Sequence, residues 1–136
     1  MKKISIFLLL ALVSSCSSSS DNLSNNSNSN STINPPAWIQ GTWIQDGGTA
    51  GYKFTSNDFI LVGSGSQTSF ANAVTQTKAT GGNASVRETI TSNSYNIDIT
   101  IGIRTDSYYF NKITTTKIEW VNDPLGSLAD LFYIKQ

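Results

Sequence analysis

Cys16 is the single thiol in a chain of 136 residues that contains no His. Without His, the Ser–His and Cys–His relays that activate a nucleophile are excluded, and so are the usual His/Cys zinc sets. Chemistry then falls to the nine carboxylates. Glu88 is the most pointed of them. On a strand it shares a face with Val86 and Ile90. If that face points inward, a carboxylate enters the interior, where it is costly unless paired or hydrogen-bonded. It would then orient a polar group of a ligand, or pair with Arg104 or Lys53. Turned the other way, it is an exposed Glu at the rim. No two carboxylates have a spacing that argues for glycoside hydrolysis. No Gly-x-Ser-x-Gly is present, and Gly63-Ser64-Gly65-Ser66 lacks a phosphate-loop Lys and reads as a turn. The expectation is a protein without catalytic residues, metal site or cofactor. A formal net charge of zero also removes the electrostatic footprint of a nucleic-acid binder.

The chemistry of Cys16 lies in its flanks. Lys2-Lys3 precede the apolar run from Ile4 to Val13, which is too short to span a bilayer and fits a secretory leader. Val13-Ser14-Ser15-Cys16 resembles the lipobox of bacterial lipoproteins, a bulky residue and two small ones before Cys. The resemblance implies a signal peptide over 1–15, cleavage before Cys16, a diacylglycerol thioether on its sulfur and acylation of the new amino group. Several acyl chains make attachment stable where one is marginal. The membrane is therefore the expected partner, reached through Cys16. Ser17 rather than Asp follows the Cys, which by the same resemblance favours the outer membrane, on either its periplasmic or its outer side. The alternative to lipidation is an ordinary secretory signal with a chance Cys.

Residues 16–36 read as the lipidated Cys plus a disordered tether. Fourteen of the eighteen residues from Ser17 to Asn34 are Ser or Asn, too polar to offset the entropy of ordering. Such a tether reaches about 20–25 Å. Pro35-Pro36 stiffen its exit. All three Trp, all five Tyr and five of six Phe lie beyond Pro36, which places the folded domain over 37–136.

Within that domain, eight short strands are separated by turn clusters. They are Gly41–Gln45, Gly51–Thr55, Phe59–Val62, Ala84–Thr91, Tyr95–Arg104, Ser107–Ile113, Lys117–Val121 and Ala129–Lys135. In the fifth, Tyr95, Ile97, Ile99, Ile101 and Ile103 alternate with polar residues, the period of a half-buried strand. Thr105-Asp106 is read as the turn that follows. Phe70 and Val74, four apart between the third and fourth strands, predict a short helix within Thr68–Lys78, capped by Thr68 or Ser69; a loop is the alternative. Eight strands with tight turns predict an all-β fold, a small eight-stranded antiparallel up-and-down β-barrel. Closure would remove both exposed edges. A two-sheet sandwich is the second compatible architecture.

The first strand carries Gly41-Thr42-Trp43. This Gly-x-Trp resembles the opening of the lipocalin (calycin) superfamily, and the order of elements is similar to that of small lipocalin-like domains in Gram-negative lipoproteins. The resemblance implies that Gly41 and Trp43 close the barrel, with Lys135 near the end of the last strand packing across the indole. It further implies a non-enzymatic module that binds a small hydrophobic or amphipathic ligand. Trp43, Phe54, Glu88, Tyr95, Tyr108, Phe110 and Trp120 are the candidate ligand-binding residues. The alternative is a packed barrel that acts as a structural or protein-interaction module of the envelope. The departures from the family are plain: the domain is shorter than a full lipocalin, lacks its mid-chain motif and disulfides, and has no clear terminal helix. One expectation is testable directly. Labelled palmitate enters the wild-type chain during growth, and Cys16→Ala abolishes its incorporation; equal labelling of both removes the anchor.

Overall fold

The computed structural model describes residues 28–30, 32–124 and 130–136. The expected leader, Cys16 and most of the expected tether lie outside the described residues, as does Ala129, the expected start of the last strand.

The alternation read from the sequence becomes an antiparallel sheet with one helix. A three-residue strand β1 (Asn28–Asn30) is followed by β2 (Gly41–Gln45), β3 (Gly51–Phe54), β4 (Phe59–Gly63) and β5 (Ser66–Ser69). Helix α1 (Phe70–Ala79) leads to β6 (Ala84–Ile90), β7 (Ser94–Ile101), β8 (Arg104–Lys112), β9 (Lys117–Trp120) and β10 (Leu131–Lys135). The order across the sheet is β1-β6-β7-β8-β9-β10-β2-β3-β4-β5. Consecutive strands pair from β2 to β5 and from β6 to β10, β1 pairs with β6, and β10 pairs with β2, with Lys135 opposite Trp43.

The expected closed eight-stranded barrel is not what forms. Nine strands, with β1 added along β6, curl into a half-barrel that stays open between its edge strands β1 and β5. The reason is α1. Ser69 ends β5 and caps the helix in the same step, its hydroxyl accepting from the Asn72 N–H. Asp58 holds this junction: Oδ2 accepts from the Ser69 hydroxyl at 2.6 Å and Oδ1 from the Ala71 N–H at 3.0 Å. The helix then packs against β4 on one side and β6 and β7 on the other. Phe70 and Val74 are buried there, filling the gap across which β5 and β6 would otherwise pair.

Two boundaries also move. The turn after β7 is Gly102-Ile103, two residues before the expected Thr105-Asp106, which lie within β8. Gly102 takes φ +65°, as the first position of a two-residue hairpin turn requires, and Ile103 stands exposed at the tip. The isoleucine alternation continues into the turn, so periodicity alone overruns it. At the amino end, ordered packing begins before Ala37: Ile33 and Ile39 are buried in the core, and β1 pairs with β6 inside the segment expected to be tether.

The core is aromatic. Phe54 and Phe59 stack with rings 4.9 Å apart and 2° from parallel, and Phe59 stacks on Phe70 at 5.0 Å. Tyr52 meets Phe110 edge-on at 5.2 Å. Phe59, fully buried between strand and helix, is the hinge of this cluster. Phe59→Ala should lower stability by about 3–5 kcal/mol, whereas Ile103→Asn at the exposed tip should change it by less than about 0.5 kcal/mol. Urea midpoints of the two variants against wild type check the contrast.

Candidate functional site

Strand direction gives the half-barrel two different ends. The loops 32–40, 55–58, 91–93 and 113–116 meet at one end, and 46–50, 63–66, 80–83 and 101–104 at the other.

The first end is plugged. Trp43 is fully buried, and its Nε1 donates to the Ile39 carbonyl at 2.6 Å. Lys135 Nζ lies 5.1 Å from the centre of the Trp43 ring, a cation over an aromatic face. Gly41, at φ +130°, passes so close to Lys135 that a Cβ there would stand 2.7 Å from Cε. Gly41, Trp43 and Lys135 are thus brought together at the plugged end. The Ile33–Ile39 segment covers them.

The middle of the interior is filled. Phe54, Tyr95 and Phe110, three of the candidate ligand residues, are fully buried there and present no free surface. Glu88 does lie on the inward face with Val86, near the rim beside β1. Its Oε1 accepts from the Tyr95 hydroxyl at 2.6 Å and from the Asn34 N–H at 2.8 Å. Its carboxylate is therefore engaged within the fold. Arg104, one suggested partner, pairs instead with Asp106 at 2.7 Å.

Above that layer the second end opens into a cup of about 350 Å³. Its floor is Tyr52, its walls are Leu61 and Tyr133, and Gln45, Ser66 and Thr68 add polar groups. Tyr108 and Trp120 stack on each other at 5.8 Å beside the cup, each meeting the Tyr52 ring edge-on. Asn122 fixes this rim, its Oδ1 accepting from Trp120 Nε1 at 2.9 Å and from the Tyr109 N–H at 2.7 Å. None of the seven residues expected to bind ligand lines the cup itself; Tyr108 and Trp120 support it from behind. Tyr52 and Tyr133 were legible as inward residues of their strands, since Tyr52 alternates with Phe54. Thr68 was not, because Ser66-Gln67-Thr68-Ser69 has no apolar residue to mark it as a strand.

The tyrosines keep their protons. Burial, reinforced by the Tyr133 hydroxyl and by Asp123, pushes Tyr52 far above the ordinary phenol range. Burial also raises Tyr133 and Tyr108, and burial with the Glu88 carboxylate raises Tyr95. The cup thus offers neutral hydroxyls at every physiological pH, together with an apolar floor. It contains no nucleophile set beside a base.

On the outer face of the sheet, Arg87, Thr89, Asn96, Asp98 and Tyr109 surround a smaller polar hollow of about 230 Å³. Asp98 there accepts from the Ser107 hydroxyl at 2.6 Å and the Tyr109 hydroxyl at 3.2 Å. Among the described residues, no three His, Cys, Asp or Glu side chains gather as a metal site would need. No described helix is long and apolar enough to cross a membrane. Comparison with family models, curated proteins and solved structures finds no match.

The raised phenols carry a linkage with a definite sign. Below about pH 10 both folded and unfolded chains hold these protons, and stability does not depend on them. Above it the unfolded chain ionises while Tyr52 and Tyr95 do not. Stability should therefore fall by about 1.4 kcal/mol per pH unit for each of the two. Urea midpoints from pH 8 to 11, with phenolate absorbance followed in parallel, check this: ionisation of these two coincides with unfolding, and free ionisation in the folded chain contradicts it.

Proposed function

We propose that the chain is a cell-envelope lipoprotein, anchored through Cys16 and placed at the outer membrane, whose half-barrel is a non-enzymatic module for a small hydrophobic or amphipathic ligand. The single observation that carries the binding reading is the mouth cup. Its 350 Å³ sits at the low end of the about 300–1,000 Å³ typical of ligand sites. It combines an apolar floor with a few convergent polar groups, the pattern that orients a ligand while burying it. The lipobox and Ser17 support the anchor and the outer-membrane placement. A lipocalin-like relationship draws support from the meander, the pairing of β2 with β10, and Lys135 over Trp43.

The filled interior favours a second reading, a packed module that presents its loops to an envelope partner. The two readings part on the cup. Leu61→Trp places an indole in it without touching the plugged end. Under the binding reading, small molecules that co-purify with wild type, identified by mass spectrometry, are lost from this variant, and affinity for them falls by about tenfold or more. Nothing co-purified with wild type, or retention by Leu61→Trp, favours the packed module.

A further inference from the structure

The two ends of the half-barrel differ in charge. Of the five lysines among the described residues, four stand at or next to the plugged end: Lys53, Lys112, Lys117 and Lys135. Four aspartates, Asp46, Asp106, Asp123 and Asp130, stand toward the mouth, where Arg104 and Lys78 are the cations. Three carboxylates lie at or next to the plugged end: Asp58 accepts at the helix cap, Glu88 accepts from Tyr95 and Asn34, and Glu119 stands two residues from Lys117 on the same strand, opposite Phe132. Four lysines against three carboxylates leave this end modestly positive, whereas the mouth sets four aspartates against two cations.

Aromatic and apolar groups accompany these lysines. Lys112 Nζ lies 5.9 Å from the Trp38 ring and Lys117 Nζ 3.8 Å from that of Phe132, both rings half-buried. Between the two lysines the β8–β9 hairpin carries Ile113, 48% exposed, at its turn. Lysines set beside rings with one protruding aliphatic side chain make a surface matched to a phospholipid interface: anionic headgroups outside, an apolar boundary just beneath. The mouth also exposes Ile103 and Val121, but among aspartates that an anionic surface repels.

The path of the chain agrees. β1 runs antiparallel to β6, with Asn28 opposite Glu88 and Asn30 opposite Val86. The chain therefore enters the fold from the plugged end. Cys16 lies twelve residues upstream of Asn28, a length that spans about 20 Å as a flexible linker.

We propose that the plugged end is a docking face for the anionic phospholipid surface to which the chain is anchored, so that the cup is held facing away from the bilayer. This rests on the anchored reading for its geometry, but its lipid dependence can be read separately. The test uses the full-length protein produced in a bacterial envelope. It is mixed with vesicles of phosphatidylcholine alone, or with about one-third phosphatidylglycerol, at low and high salt. Amide hydrogen exchange is followed in 36–40 and 112–117 at the plugged end and in 46–50 and 63–66 at the mouth.

With anionic vesicles at low salt, exchange at the plugged end should slow by about fivefold or more while the mouth is unchanged. The protection should vanish in high salt and in phosphatidylcholine alone. It should also fall to within about twofold of background in the Lys112→Gln/Lys117→Gln double variant and weaken in Ile113→Asn. Matching exchange without vesicles shows that each variant is folded. Equal protection in both lipids, protection at the mouth, no protection, or full protection in the double variant each overturns the proposal. Flotation with phosphatidylcholine alone reports the lipid anchor. If that fails, the difference between the two lipids still reports the face.

Discussion

The stack of three phenylalanines, Phe54 on Phe59 on Phe70, is the contact on which the architecture depends. It ties β3 and β4 to the first turn of α1. Because Phe70 comes from a helix rather than a strand, the sheet cannot complete its ring at that point. The rings need the space that β5 and β6 would occupy if they paired. Burying so much aromatic surface in about one hundred residues supplies the apolar area that a small domain requires, and it does so at the cost of an internal cavity.

That trade shapes both ends. Below the stack, Trp43, Ile39 and Ile33 shut the half-barrel completely. The Lys135 side chain crosses the indole where Gly41 leaves room for it. Above the stack, Tyr52 and Tyr133 line a cup that Ser66 and Thr68 of β5 help to bound. One end therefore seals and the other receives. Lysines collect at the sealed end and aspartates at the open one, which gives the domain a direction with respect to anything charged that it meets.

Much of this organisation was legible in the residues. Eight of the ten strands and the helix could be placed from alternation, turn residues and the spacing of Phe70 and Val74. Where the reading slipped, a specific competing effect won. The isoleucines run on to Ile103, but Gly102 adopts a left-handed φ and turns the chain first. β5 escaped notice because a strand at a sheet edge with a solvated outer face has no need of apolar residues. β1 escaped because it lies within a run of Ser and Asn that carries no alternation. Of the candidate site, Glu88 was placed on the correct face but not with its partners, since Asn34 is fifty-four residues away in the chain.

The amino-acid sequence by itself determined the lone Cys16 behind an apolar run, the strand-rich character of the domain, and the alternation that divides each strand into two faces. These follow from local periodicity and from short motifs, which need no knowledge of distant partners. Only the tertiary structure decided that the ring stays open, that Phe54, Tyr95 and Phe110 are sealed, and that the accessible cup belongs to Tyr52, Leu61 and Tyr133. Those outcomes depend on how much volume the inward side chains occupy once the sheet has curled around α1. That volume is a sum over residues far apart in the chain, and no single segment contains it.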